Sequence, residues 1–205
     1  MTPRVSIVTT VYDRLACLQR CLRSTQKLHY RDFEQIVVSD APRETMVTEI
    51  AATCAQYGVQ HINLPARTND WGISPAMAGL RASRGEFVCF LSDDNAYLPD
   101  HFGPLLEAFD ADPSLGFVYS SCQYAGRRIL DLSPPVGAGI DLGQPLFRRA
   151  AIREHLQDDF PFPEFAWDWA VIHALMSKGV TWRHVDVQSF IFRLAQYPAI
   201  VEALA

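Results

Sequence analysis

The sequence predicts an α/β fold in which a doubly wound, mainly parallel sheet is flanked by helices. Three observations carry that expectation. Short β-branched apolar runs alternate with segments of helical period, the pattern of repeated βαβ units. Polar and acidic residues follow the ends of those runs, where open parallel sheets bind ligands. The composition, 49% hydrophobic and 20% charged over 205 residues, is that of an ordinary globular chain able to bury a real core.

In chain order, Val5 to Thr10 is a short β-branched run and reads as a buried strand. Asp13 is placed to cap the next segment, where Leu15, Leu18, Leu22 and Thr25 mark one helical face. Phe33 to Val38 is a second strand, ending at Ser39-Asp40-Ala41-Pro42. Glu44 to Tyr57 reads as a helix stopped by Gly58, and Val59 to Asn63 as a third strand. A helix over Ser74 to Ser83 leads through Gly85 into a fourth strand that ends at Ser92. The second half is less regular. Helices are expected over Pro99 to Asp110, from about Ala150, and over Phe165 to Lys178. Strands are expected over Leu115–Ser120 and Gln123–Leu130, Pro145–Phe147 precedes the helix from Ala150, and Val180–Val187 and Ser189–Phe192 read as extended. The segment from Ser133 to Gly139 reads as a loop.

The run Ser92-Asp93-Asp94-Asn95 is the most informative feature. Neighbouring carboxylates point to opposite faces of a continuing strand, so they serve one site only where the strand stops and the backbone turns. Adjacent acids there suit a hard divalent cation shared with a substrate's phosphates, although a solvated Asx turn uses the same residues. The wider pattern favours a site. Thr10, Tyr12 and Asp13 follow the first strand, Asp40 the second, and Asp93 and Asp94 the fourth. Independent surface turns have no reason to repeat that placement.

Composition narrows the partners. A net charge of −5 argues against a nucleic-acid surface, which needs a basic stripe. No apolar run approaches the roughly 18 residues of a membrane span, and the N-terminus lacks a secretory pattern. The five cysteines, Cys17, Cys21, Cys54, Cys89 and Cys122, are odd in number and lie in apolar contexts. They read as reduced core thiols of a cytoplasmic protein.

Val5 to Asp13, Ile36 to Asp40 and Gly85 to Asn95 together resemble the N-terminal half of family 2 glycosyltransferases with the GT-A fold. The run Ser92 to Asp100 is similar to a spore-coat polysaccharide glycosyltransferase of that family. The resemblance implies a GT-A, Rossmann-like mixed sheet in one compact unit, with residues 1–95 binding nucleotide and 96–205 binding acceptor. It implies inverting sugar transfer from a nucleotide diphosphate sugar, usually uridine-linked, with Mg2+ or Mn2+, to a hydroxyl acceptor such as a saccharide. Thr10, Tyr12 and Asp13 match the nucleotide pocket, and Asp40 matches the acid that hydrogen-bonds the uracil N–H. Asp93 matches the acid near ribose or metal, and Asp94 the principal metal ligand. The catalytic base matches Asp168, within Glu164-Phe165-Ala166-Trp167-Asp168-Trp169. Glu164, the pair Asp158-Asp159 and Asp141 are alternatives. Trp167 stands where an acid often precedes the base. Ala76-Met77 replaces a frequent Arg-Asn, leaving Arg67 or Arg81 to face the diphosphate. A late metal-binding histidine is missing near Arg193, with His184 a weak substitute.

Flanking tryptophans desolvate Asp168 in this reading and strengthen it as a base. Trp167 and Trp169 are the candidates for acceptor contact, and Trp71 for contact with the donor sugar. Core packing competes for these aromatics and for Phe160, Phe162 and Phe165, and a cap for the helix near Arg43 competes for Asp40. Arg127-Arg128 and Arg148-Arg149 read as solvated surface or as contacts to an anionic acceptor. Three other functions compete: a sugar-nucleotidyltransferase, whose Gly-rich signature is missing after the first strand, a glycoside hydrolase, and a non-catalytic nucleotide-sugar-binding module.

Overall fold

The computed structural model describes residues 2–124, 127–129, 132–137, 139–156, 160 and 167–193. Its elements run β1 (Val5–Val11), α1 (Leu15–Gln26), β2 (Phe33–Ser39), α2 (Glu44–Tyr57), β3 (Gln60–Asn63), α3 (Ile73–Ala82), β4 (Phe87–Ser92) and β5 (Ala96–Tyr97). They continue with α4 (Phe102–Ala111), β6 (Phe117–Tyr124), β7 (Arg127–Ile129), β8 (Pro145–Arg148), α5 (Arg149–His155), α6 (Trp167–Ser177) and β9 (Trp182–Ile191).

One mixed sheet takes the order β3-β2-β1-β4-β8-β6-β9-β5, with β7 hairpinned onto β6. The first four strands are parallel. β8 then reverses direction beside β4, as Phe87 pairs with Arg148 and Val88 with Phe147. Alternate residues of β1 point to opposite faces, as a strand's period of two requires. Ile7 packs with Cys21, Leu28 and Phe102 under α1 and α4, and Val8 packs with Met77 and Leu80 of α3. Leu18, Leu22, Met46 and Ile50 join α1 to α2 in a further apolar cluster.

Local chemistry explains several boundaries. Gly58 ends α2 in the left-handed region at φ 67°, its N–H and that of Val59 closing onto Ala55 and Cys54 carbonyls. Gly85 precedes β4 where a Cβ would sit 2.8 Å from backbone atoms of Val5, Ser6 and Phe87. Cys21, Cys54, Cys89 and Cys122 are buried free thiols, and Cys17 is partly covered.

Other expectations are corrected. Asp13 does not cap α1: β1 runs on to Val11, Arg14 takes the N-cap position, and no side chain caps that end. Asp40 does not cap α2, whose N-cap is Arg43. The gap expected between Ser120 and Gln123 is absent: Ser121 and Cys122 are buried in the continuous strand β6 and pair with β9. β9 is likewise one strand with register shifts against β6. Asp158, Asp159, Phe162, Glu164 and Phe165 lie outside the described residues. Among the described residues no helix is long and apolar enough to cross a membrane.

Candidate active site

The residues that follow β2, β1 and β4 converge because those strands are neighbours in register, and they bring Asp40, Tyr12 and Asp93 together. Thr10 pairs with Val38 on one side and Ser92 on the other. The Asp40 N–H donates to the Val11 carbonyl at 3.0 Å, and the Asp93 N–H to the Thr10 carbonyl at 3.2 Å. Asp40, Tyr12 and Asp93 therefore leave the sheet side by side. They line a cavity of about 340 Å³ with Thr10, Arg14, Arg67, Asn69, Trp71 and Ser92. Asp13 is exposed and is not among the residues lining it.

Asp40 organises the far wall. One carboxylate oxygen accepts from the Thr68 N–H at 2.8 Å and the Thr68 hydroxyl at 2.9 Å, and the other accepts from the Asn69 N–H at 3.2 Å. Asp70 then accepts from the Ser74 N–H at 2.9 Å, tying the same loop to the first turn of α3. Asn69, Trp71 and Gly72 all have positive φ. That backbone leaves the Trp71 indole 76% exposed at the cavity edge. The Arg67 guanidinium lies 4.0 Å from the Tyr12 ring centroid, a cation–π contact that orients both side chains. Arg81 lies on α3 and lines neither this cavity nor the one described next.

The Arg14 guanidinium grips both acids after β4. It forms a two-pronged ion pair with Asp93, one prong at 3.1 Å from Nε, and reaches Asp94 through Nη1 at 2.8 Å. The Asp93 side chain is fully buried, whereas Asp94 keeps 22% exposure. Burial pushes the Asp93 carboxyl up to about 7 against the pull of Arg14. Sequence reasoning missed Arg14, because a pair 79 residues apart leaves no periodic trace.

A second cavity, about 310 Å³, shares Thr10, Ser92 and Trp71 with the first and is lined by Asp94, Asn95, Asp141, Trp167, Asp168 and Arg193. Asp141 sits at a turn where its carboxylate accepts from the Gly143 N–H at 2.8 Å. Asp168 is in the first turn of α6. Burial pushes both carboxyls above the usual range, and the Asp168 charge pushes Asp141 further. Trp167 lines this cavity and packs edge-on against Phe90. Trp169 does not line it; the ring lies tilted beside His173, and a Cβ at position 137 would meet it at 3.5 Å. His184 is taken up by Ser121 at 3.0 Å and by the Tyr119 ring. Arg148 pairs with Glu86 and lies over Phe87, and Arg128 pairs with Asp186, so both serve packing or surface contacts.

No group of three or more His, Cys, Asp and Glu side chains is placed to hold a metal alone among the described residues. Mg2+-like sites need fewer protein ligands, because substrate phosphates and water complete the shell. Asp94 facing a cavity that already gathers Asp141 and Asp168 fits that kind of site: clustered buried carboxylates repel one another, and a cation relieves the repulsion.

The chain is 25% identical over 134 residues to an uncharacterized glycosyltransferase of Haemophilus influenzae, covering 64% of this chain and 44% of the relative. It is 30% identical over 119 residues to the O-antigen biosynthesis protein RfbC of Myxococcus xanthus, covering 58% and 9%. The chain thus spans less than half the length of these curated relatives. Among solved structures, S. aureus TarS 1-349 in complex with UDP-GlcNAc superposes with a TM-score of 0.73 at 16% identity, over 100% of this chain and 64% of the other. The mannosyltransferase PcManGT of Pyrobaculum calidifontis, in complex with GDP-Man and Mn2+, gives a TM-score of 0.73 at 16% identity, over 94% and 57%. These likenesses establish the fold as that of GT-A glycosyltransferases. The family model for "Glycosyl transferase family 2" matches residues 6–142. That span runs through every acid-bearing strand end and reaches Asp141, and the chain belongs to glycosyl transferase family 2.

Proposed function

We propose that this chain transfers a sugar, with inversion and with Mg2+ or Mn2+, from a uridine diphosphate sugar to a hydroxyl of a saccharide acceptor. The observation that carries the reading is the pair of cavities joined at Thr10, Ser92 and Trp71. The first is lined by groups suited to a nucleoside diphosphate, and the second holds the carboxylates that the chemistry needs. The UDP-GlcNAc and GDP-Man complexes of the structural neighbours support a nucleotide-sugar donor. Asp40 favours uridine, since a carboxylate accepts the uracil imide N–H and cytosine offers none at that position. In this reading residues 1–95 form the nucleotide part and 96–205 the acceptor part.

Thr10, Tyr12 and Asp93 hold the nucleotide, and Arg67 meets the diphosphate. A divalent cation on Asp94 supplies Lewis-acid neutralisation of the departing diphosphate. The acceptor oxygen attacks the anomeric carbon as the bond to the diphosphate breaks, and the diphosphate leaves with the bonding pair. Asp168 takes the acceptor's proton. Its raised pKa makes it a stronger base than an exposed aspartate, and Trp167 excludes water beside it.

The test is release of UDP from a panel of UDP-sugars with Mn2+, together with UDP binding by calorimetry. Asp168→Asn is expected to lower turnover by about 10²–10⁴-fold, the usual size of general-base assistance, while UDP affinity holds. Turnover unchanged in that variant, or UDP binding lost with it, overturns the assignment of the base.

A further inference from the structure

We infer that Arg14 is a built-in counter-ion that holds the divalent-cation position shut until a nucleoside diphosphate arrives, making metal binding depend on nucleotide binding. The inference rests on the metal role proposed for Asp94. Among the described residues, Arg14 is the one ion-pair partner of Asp93 and Asp94. It is a bifunctional partner: Nε and Nη2 bind the two oxygens of Asp93, and Nη1 binds Oδ2 of Asp94. Rigid, planar guanidinium geometry suits this three-point grip, which an ammonium cannot reproduce. Arg14 also sits at the N-cap of α1, half-exposed, on the connection between β1 and α1. The same side chain lines the first cavity, so a bound diphosphate falls within its reach.

The charges dictate the order. With no ligand bound, a divalent cation approaching Asp94 meets a guanidinium already bonded to that carboxylate, and the two cations repel. A diphosphate brings negative charge to the same place and offers Arg14 oxygens of matching geometry. As Arg14 turns part of its hydrogen bonding to the phosphates, Asp94 is freed and the cation gains phosphate ligands as well. Each ligand then raises the affinity of the other by the same factor, as linkage requires.

Binding of MnCl2 to the purified chain, followed by the electron paramagnetic resonance of free Mn2+ with and without saturating UDP, tests this without catalysis. Wild type is expected to bind Mn2+ at least about 10-fold more tightly with UDP, within the usual range of allosteric coupling. Arg14→Met should bind Mn2+ alone about 10-fold more tightly than wild type, and its UDP-dependent gain should shrink toward onefold. Because Asp93 loses its partner in that variant, Arg14→Lys is measured alongside it. Lysine keeps the charge but holds one carboxylate at a time, so Mn2+ alone should bind with intermediate affinity. If wild type shows the UDP-dependent gain while neither variant binds Mn2+ alone more tightly, the gate is overturned and the metal role of Asp94 stands. If Mn2+ binds to no variant under either condition, both fall, and UDP affinity in chelator reports whether the nucleotide cavity survives.

Discussion

Replacing Asp40 with asparagine separates the clamp that its carboxylate makes on residues 68–69 from the base reading proposed for it. Ionised Asp40 offers about four lone-pair positions, and three are taken by the Thr68 N–H, the Thr68 hydroxyl and the Asn69 N–H at 2.8, 2.9 and 3.2 Å. One position remains for a ligand, which matches the single imide N–H of uracil. In Asp40→Asn the amide oxygen keeps the two Thr68 bonds at neutral strength, and the NH2 group is set against the Asn69 N–H, donor against donor. Bonds to a charged acceptor contribute about 1.5–3 kcal/mol and neutral ones about 0.5–1.5. The side chain is mostly buried, and losing one charged bond while weakening two costs about 3.5–6 kcal/mol. For a chain of this size that lowers Tm by about 7–24 °C. The amide can donate to the cytosine ring nitrogen that replaces the imide, so the preference for UDP over CDP should fall at least tenfold, about 1.4 kcal/mol. Thermal unfolding and calorimetry with UDP and CDP read the two duties apart. An unchanged Tm refutes the clamp on the 68–69 backbone, and an unchanged UDP-to-CDP ratio refutes base reading by Asp40.

Two further outcomes concern stability. Gly85→Ala sets a Cβ 2.8 Å from backbone of Val5, Ser6 and Phe87, where β1 and β4 are held by pairing and cannot yield; it should cost about 3 kcal/mol, the upper end of overpacking. Gly103→Ala on α4 meets nothing within 4 Å and should be neutral or stabilising by up to about 1 kcal/mol, so equal urea midpoints for the two variants refute the packing argument. The pH dependence follows from Asp141 and Asp168, whose folded pKa values lie above the unfolded ones. The folded protein binds the extra protons, so this contribution is present below the usual carboxylate pKa of about 3.9 and is lost as pH rises through the raised folded values. Asp141→Asn should therefore gain stability relative to wild type between pH 4 and 8 in metal-free buffer, and a relative loss over that range sinks the account.

The first half of the chain was legible because its signals are local. Val5–Val11 and Phe87–Ser92 are apolar runs ended by polar residues, and the helix Glu44–Tyr57 ends at a glycine that the backbone needs at positive φ. Asp40 and Asp93 converge because parallel neighbours end at one edge, so reading the strand ends was nearly reading the cavity. The misses are long-range or depend on a one-residue boundary. Asp13 looked like a cap, but one more residue in β1 moved the N-cap to Arg14. A cap for α2 competed for Asp40, and it fails because Ala41 takes φ 44° and the carboxylate turns to Thr68 and Asn69 instead. The gap expected at Ser121-Cys122 is closed within a central strand, because pairing on both sides of β6 satisfies a backbone that its side chains do not advertise. Asp141 reaches the cavity only because β8 returns between β4 and β6.

The two cavities pose one electrostatic problem. Asp93, Asp94, Asp141 and Asp168 line their walls, with Arg14, Arg67 and Arg193 as the facing cations. A nucleoside diphosphate is itself anionic, and each uncompensated pair of like charges at about 5 Å costs about 3 kcal/mol at an effective dielectric near 20. Arg67 is engaged with the Tyr12 ring and Arg14 with the two acids after β4. Moving one of these guanidiniums toward the donor, or adding a cation, relieves that repulsion. Arg14 is the one whose present partners are the very carboxylates a cation would take. An arrangement that neutralises Asp93 and Asp94 before the donor arrives keeps the buried acid from costing the fold its stability. Handing that neutralisation to a metal afterwards leaves the guanidinium available to the leaving group. The acids after β4 that read as simple ligands in the sequence are, in three dimensions, already held by Arg14.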